Sequence, residues 1–206
     1  MTLAISSSTN VFSAGIIDND KVLCSVYFRE KKVQDKILKV IDFIRSFVDD
    51  IDSLAVDIGP GGFTGLRIGL SVIKTISFVK KIPIYTAYSL DLIRANTISN
   101  KVISGIDANG RIFVRVYDSN VSDIFDIKVE DLVNMINEKK LDDYELIGDG
   151  FIKYDSYFKS LKINNIFYFP TIESFPKVWH GPYDYSILPY YGRKSQAEEK
   201  LWLFLV

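Results

Sequence analysis

The chain has 206 residues, a formal net charge of -1 and 48% hydrophobic residues, a balance typical of globular proteins with one sizeable core or two small lobes. Proteins that bind nucleic acid non-specifically carry an overall positive charge, and the near-zero net charge of this chain shows no such excess. Because Cys24 is the single cysteine, no disulfide can form within the chain, which fits a reducing compartment. Cys24 lies in an alternating apolar run, which predicts a buried, unreactive thiol. No signal peptide and no apolar stretch of ~18 residues are present, so we expect a cytoplasmic protein without membrane contact.

The first half of the chain predicts a three-stranded antiparallel meander, with strands over 3–6, 11–18 and 22–28. The helical spacing of apolar residues then predicts a helix over 32–49, followed by a buried strand over 52–59. After a glycine-rich loop come a helix over 63–79, a strand over 83–89 and a short helix over 89–99 with Ser89 as its N-cap.

The second half repeats this order about 100 residues later. A hairpin over 101–120 turns at Asn109-Gly110, and a third strand over 122–129, a helix over 130–140 and strands over 144–150 and 166–170 follow. The repeat predicts an internal duplication, with a first lobe over 1–100 and a second lobe over 101–206 that face each other across a cleft.

The glycine-rich loop reads DIGPGGFTGLRIGLS over 57–71. It is not a phosphate-binding Walker A loop, because Leu66 and Arg67 follow Gly65 where that motif needs Lys and then Ser or Thr. It also lacks the third glycine of the dinucleotide fingerprint. Backbone N–H groups at the start of the following helix leave a general anion site open, and we expect Thr64 and Arg67 to cap and flank that helix.

The two first-lobe helices carry more apolar surface than one sheet can cover, which predicts a protein partner and leaves a fully intramolecular core as the alternative. Gly65 and Gly69 lie on one helix face, and we expect them to let a partner approach. The predicted interface residues are Val33, Ile37, Ile41, Ile44, Val48, Gly65, Leu66, Gly69, Leu70 and Ile73.

Four segments resemble one known family: LAISSSTN at the start, GPGGFTGLRIGLS in the loop, VISGIDANGRIFVRVY with Asp107 and Arg111, and LPYYGRKSQAE over 188–198. They are similar to the TsaB (YeaZ) family of the actin-like ATPase (ASKHA) superfamily, and the glycine loop is the specific part. The resemblance implies an α/β fold of two ribonuclease H-like lobes, each a mixed sheet with an antiparallel three-strand meander and flanking helices.

The resemblance implies a non-catalytic subunit that pairs through its first-lobe helices with a TsaD-like catalytic homologue, joined by a TsaE-like ATPase, for threonylcarbamoyl transfer to adenosine next to the tRNA anticodon. It implies contact with tRNA only through the complex, no cofactor of its own and nucleotide only at a complex interface. The apolar surface predicts a homodimer in isolation. Ser6 departs from the family, which often has Asp there, and in actin-like ATPases that carboxylate orients Mg²⁺ and the attacking water.

The sequence offers few candidates for catalysis. His180 is the only histidine, so neither a zinc site nor a serine protease triad is expected. Asp57, Asp107 and Asp149 end predicted strands, and they either hold Mg²⁺ and nucleotide or cap turns. Carboxylates that hold Mg²⁺ and nucleotide would belong to an alternative function, that of an ATP-dependent small-molecule kinase. The apolar run over 201–206 predicts docking against its own lobe or a second subunit.

Overall fold

The computed structural model describes residues 1–29, 36–46, 48 and 50–192. The first lobe is built on a six-stranded sheet with the order β11-β5-β4-β1-β2-β3, in which β11 is His180–Tyr183. Five of its strands come from the first half of the chain: β1 (Thr2–Ser6), β2 (Val11–Asp18), β3 (Lys21–Arg29), β4 (Ser53–Asp57) and β5 (Ile84–Ala87). β1, β2 and β3 form the antiparallel meander, and β4 and β5 extend the sheet in parallel with β1.

The second lobe repeats this arrangement. Its sheet has the order β10-β9-β6-β7-β8, which is the first sheet's order β5-β4-β1-β2-β3 with every strand number raised by five. The strands are β6 (Val102–Asp107), β7 (Arg111–Tyr117), β8 (Phe125–Lys128), β9 (Glu145–Ile147) and β10 (Lys162–Asn164). Asn109 and Gly110 both have positive φ, 56° and 87°, as the predicted tight hairpin turn requires. The predicted α/β class, with a meander in each lobe, is confirmed.

Six helices flank the sheets in the described part of the chain: α1 (Ile37–Arg45), α2 (Phe63–Lys80), α3 (Ser89–Arg94), α4 (Val129–Glu138), α5 (Asp149–Lys153) and α6 (Phe175–Val178). α1 and α2 cover one face of the first sheet, where Ile41, Ile44, Leu70 and Ile73 pack against the strand residues of that face. α4 and α5 pack in the same way on the second sheet.

Helix α3 joins the lobes. Its Leu90 and Ile93 are fully buried against the second sheet, among Val102, Ile106 and Ile147. Both carboxylate oxygens of Asp91, on the same helix, accept hydrogen bonds from the Arg115 guanidinium of β7 at 2.9 Å. Apolar burial and a partly buried ion pair therefore fix the angle between the lobes.

The end of the chain differs from the prediction. The predicted strand over 166–170 is irregular, and the chain instead returns to the first lobe. There β11 (His180–Tyr183) pairs antiparallel with β5 and forms one edge of the first sheet. The last part of the chain thus contributes a strand to the first sheet, although the prediction assigned residues 101–206 to the second lobe. The return of the chain to the first sheet depends on contacts between residues far apart in the sequence, which local periodicity does not reveal.

Candidate functional site

Asp57, the last residue of β4, lies at the centre of a buried polar cluster and is 1% exposed. Its Oδ2 accepts hydrogen bonds from the hydroxyls of Ser6, at 2.6 Å, and Ser8. Its Oδ1 accepts from the Ser89 hydroxyl and from the Gly59 backbone N–H at 2.9 Å. The four donors bring together β1, the turn after it, the glycine loop and the start of α3, so this carboxyl organises the local fold.

Burial raises the pKa of Asp57, and the hydrogen bonds from the serines and the backbone oppose that shift without cancelling it. Ser89 was predicted to cap α3, but the residue before that helix is Tyr88 and the Ser89 hydroxyl is directed at the carboxyl instead. The sequence showed a strand-end Asp, but it did not show that three serines from separate segments converge on it.

The glycine loop packs tightly against the turn that follows β1. A Cβ atom built on Gly61 would lie closer than 3.0 Å to the backbone oxygen of Ser8, and one on Gly65 would meet the backbone oxygen of Ser7 in the same way. On Gly69 it would collide with the Ser7 hydroxyl. Gly61 and Gly65 therefore make room for the chain's own turn, and the role of Gly65 and Gly69 in admitting a partner stays a prediction.

A cleft of about 820 Å³ separates the two lobes. The first lobe lines it with the turn after β1 and with the first residues of α2, including Gly62 and Thr64. Gly62 is the N-cap residue of α2, and no side chain caps that helix, so Thr64 does not have the predicted capping role. Arg67 donates instead to the hydroxyl of Tyr191 at 3.0 Å.

Asp107 and Asp149 line the second-lobe wall of the cleft. Asp107 pairs with the Lys153 ammonium at 2.7 Å and also accepts from the Tyr154 hydroxyl at 2.9 Å. Asp149 accepts the backbone N–H of Asp107 at 3.0 Å. Burial raises the pKa of Asp149 to about 6. The two carboxyls are neighbours, whereas Asp57 lies buried in the other lobe, so the structure does not bring the three predicted carboxyls together.

Other predicted candidates lie apart from the cleft. His180 is exposed on β11, and no group of three metal-ligating side chains occurs among the residues that the structure describes. Cys24 is only partly buried and packs against the first-lobe core. The described helices include none with the length and apolar character needed to cross a membrane.

Most of the predicted interface residues point into the first lobe. Those that are buried are Ile37, Ile41, Ile44, Leu66, Gly69, Leu70 and Ile73. Val48 and Gly65 are partly buried, and Val33 lies outside the described residues. These buried side chains pack within the first lobe, and their role in a partner interface stays a prediction.

The excess apolar surface of α2 has an explanation within the chain. Residues 183–191, here called the strap, run along one flank of that helix. The Lys74 ammonium donates to the backbone oxygen of Ile187 at 3.0 Å, and the Phe78 ring packs edge-on against Tyr185 with 5.2 Å between ring centres. Ile58 accepts the backbone N–H of Tyr190 at 2.7 Å. The sheet and the strap therefore cover two sides of α2, and one flank is left for other contacts.

Comparison with known proteins identifies the fold and the family. A family model for TsaD, described as tRNA N6-adenosine threonylcarbamoyltransferase, matches residues 30–198. The chain belongs to this family. Its predicted resemblance to TsaB (YeaZ) proteins is confirmed by similarity to a Bacillus subtilis protein named "tRNA threonylcarbamoyladenosine biosynthesis protein TsaB", which is 29% identical over 101 residues.

Family members of known sequence and structure match different extents of the chain. An uncharacterized Mycobacterium tuberculosis protein, Rv3421c, is 28% identical over 49% of this chain and 51% of its own length. The Bacillus match covers 46% of this chain and 43% of that protein, so each match spans about half of the curated relative. The solved structure of YeaZ from Pseudomonas aeruginosa superposes with a TM-score of 0.67 at 17% identity, covering 84% of this chain and 87% of that one. These matches establish the two-lobed actin-like fold.

Proposed function

We propose that this chain is a non-catalytic, TsaB-like subunit that pairs with a TsaD-like homologue for threonylcarbamoyl transfer to adenosine next to the tRNA anticodon. The family match supports the pathway. The observation that carries the non-catalytic role is the Asp57 cluster, in which four donors occupy the carboxyl at the end of β4. In this proposal the complex works in the cytoplasm, a TsaE-like ATPase joins it, and tRNA meets this chain only through the assembled complex.

Buried Ser6 and the carboxyls that line the cleft support the view that this chain lacks the Mg²⁺-nucleotide site of actin-like ATPases. Mg²⁺ needs oxygen ligands with free lone pairs, usually one or two carboxylates. Ser6 is neutral, and its hydroxyl donates its hydrogen to Asp57. Asp107 is bound to Lys153, and Asp149 is held by a backbone N–H. One N–H contact leaves lone pairs on Asp149 free, so it is the neutral Ser6 and the Lys153 ammonium beside Asp107 that favour a role in shape and pairing over phosphoryl transfer.

The pairing surface in this proposal is the outer flank of α1 and α2. Ile68, Val72 and Ile76 recur every fourth residue on α2 and are only partly buried, and Val79 continues their row with 71% exposure. On α1, Phe43 is 57% exposed. Such a row of apolar side chains is the surface on which another helix packs. In isolation the same flank supports the predicted homodimer.

The test is to mix the chain with its TsaD-like counterpart and to measure pairing by analytical ultracentrifugation. Val79→Glu and Phe43→Glu place a carboxylate in the flank, and we expect both to abolish pairing because an unpaired charge is costly to bury. Leu188→Glu is the matched control, since Leu188 is 75% exposed on the strap, and it should pair normally. Circular dichroism confirms that each variant is folded. Normal pairing by both flank variants would refute the surface.

Activity assays separate the proposed role from the kinase alternative. Alone, the chain should neither hydrolyse ATP nor modify tRNA, while the mixture with its counterparts should modify tRNA. Steady ATP turnover by the purified chain that disappears in Asp149→Asn would instead support a small-molecule kinase. Asp149 is the variant to use because its carboxyl lines the cleft.

A further inference from the structure

A second cavity lies where the chain crosses between the lobes. The first crossing is the segment 95–101 between α3 and β6, and the second is the segment 165–171 after β10. Residues from both crossings, together with Tyr27 and Lys177, line a groove of about 830 Å³. We call it the hinge groove. Its volume lies within the range of about 300–1,000 Å³ found for small-molecule sites.

The walls of the hinge groove are apolar and aromatic. The rings of Tyr27 and Phe169 pack at 5.7 Å between centres. Phe167 is 50% exposed, and Ile98 on the opposite crossing is fully exposed at 102%. Phe167 therefore forms part of the concave wall, whereas Ile98 stands uncovered at the rim of the groove. Apolar side chains at a concavity gain by contact with an apolar ligand.

Two cations stand at this groove. The Arg94 guanidinium donates to the backbone oxygen of Thr97 at 2.9 Å, and the Lys177 ammonium donates to that of Ala95 at 3.2 Å. Within the described part of the chain, neither has a carboxylate at ion-pair distance. Both therefore keep donors and an unneutralised charge for an anion.

The one carboxylate in the lining is already bound. Glu173 accepts hydrogen bonds from the hydroxyl of Tyr27 and from that of Ser25, the latter at 3.1 Å. These contacts hold it against β3. Glu173 keeps its charge in these contacts, so the charged side chains of the lining are two cations and one carboxylate, a net charge of +1.

The side chain of Asn96 ties the two crossings to each other at the groove. The Asn96 amide nitrogen donates to the backbone oxygens of Phe167 and Phe169, at 3.0 and 2.9 Å. Its oxygen accepts from the hydroxyls of Thr171 and Ser174, each at 2.6 Å. All four partners belong to the second crossing or the turn after it, so Asn96 fixes one wall relative to the other. A ligand would enter a preformed groove and would not have to order it.

We propose that the hinge groove binds a small molecule with an aromatic or branched apolar body and one anionic group. The body lies between the wall of Phe167 and Phe169 and the exposed Ile98. The anionic group accepts hydrogen bonds from Lys177 and Arg94. This site is separate from the pairing flank on α1 and α2, so it does not depend on the proposed pairing.

The test uses two dyes that share an aromatic body. The sulfonate 8-anilinonaphthalene-1-sulfonate has the proposed chemistry, and N-phenyl-1-naphthylamine is its neutral counterpart. We expect saturable fluorescence enhancement by the sulfonate at one site. Lys177→Met should weaken its binding about three- to fivefold, as expected for one exposed ionic contact, and should leave the neutral dye unaffected. Phe167→Ala and Ile98→Ala should each weaken both dyes, by up to about tenfold, because apolar contact area is lost.

The controls remove the same side chains elsewhere. Phe78→Ala removes another half-exposed phenylalanine, and Lys159→Met removes another exposed lysine. Neither lines the groove, and both should bind the sulfonate as the natural chain does. Circular dichroism checks the folding of each variant, and the fully exposed Ile98 keeps the apolar wall testable if Phe167→Ala fails to fold. The proposal is overturned if the sulfonate does not saturate, if either control weakens it as much as the groove variants, or if Lys177→Met weakens both dyes equally.

Discussion

Gly65→Ala is the sharpest test of the packing between the glycine loop and the turn after β1. The added methyl group would lie well inside 3.0 Å of the Ser7 backbone oxygen. That oxygen belongs to the main chain and has no rotamer by which to move away. Either the first turn of α2 or the turn after β1 must therefore shift, and the Asp57 cluster below them opposes both movements.

Two effects of opposite sign determine how much Gly65→Ala changes the free energy of unfolding. Overpacking of a well-packed site costs up to about 3 kcal/mol. Replacing glycine by alanine within a helix returns about 1 kcal/mol through helix propensity. We therefore expect the free energy of unfolding to fall by about 2 kcal/mol. For a chain of this size that lowers the melting temperature by about 4–8 °C.

The matched control is Gly62→Ala, three residues earlier in the same loop. Gly62 has φ of -62°, and an added Cβ would lie 3.6 Å from the Ser8 backbone oxygen, an ordinary contact. This variant should lower the free energy of unfolding by less than about 1 kcal/mol, because alanine is a poorer N-cap residue than glycine but meets no steric clash here. Urea unfolding of both variants measures the difference. Equal stability of Gly65→Ala and Gly62→Ala would show that the helix does not rest on Ser7, and the reasoning would fail.

Three further variants test other parts of the structure. The folded pKa of Asp149, about 6, lies above the ordinary aspartate value near 3.9. Its ionisation should therefore lower the free energy of unfolding by about 3 kcal/mol as the pH rises from 4 to 6. Asp149→Asn should remove this loss and exceed the stability of the natural chain by up to about 3 kcal/mol at pH 7. Urea unfolding between pH 4 and 7 measures it, and identical pH profiles would contradict it. Arg115→Ala strands the partly buried Asp91 and should lower the free energy of unfolding by about 2–3 kcal/mol; no change in urea unfolding would show that the ion pair does not tie the lobes together. Ile44→Asp should unfold the first lobe because Ile44 is fully buried, whereas Phe43→Asp should stay folded by circular dichroism; a folded Ile44→Asp would mean that α1 packs differently.

Sequence periodicity predicted well the strands and helices whose apolar pattern follows their own buried face. The second predicted strand, over 11–18, has the bounds of β2, and the helix predicted over 63–79 differs from α2 by one residue. Repetition of the order of elements also predicted the duplicated sheet. Both inferences depend on neighbours in the chain, and the repeat needs only a comparison of the two halves.

The candidate site was predicted less well, because its residues meet through the fold. Asp57 was recognisable as a strand-end carboxyl, but its saturation by Ser6, Ser8 and Ser89 depends on three segments that only the folded sheet brings together. The apolar surround of α2 was interpreted as a protein interface. A strap more than a hundred residues further on covers part of it, for example where Tyr185 packs against Phe78, and the flank at Val79 stays exposed.

The return of the chain to the first lobe has a consequence for synthesis on the ribosome. The second sheet uses only the continuous segment from Val102 to Asn164, so it can form while the rest of the chain is still being made. The first sheet lacks its edge strand until His180–Tyr183 has emerged, and the strap over α2 comes later still. Until then the β5 edge and one flank of α2 are uncovered, and they are the surfaces on which a nascent chain of this protein would be most exposed to aggregation or to chaperones.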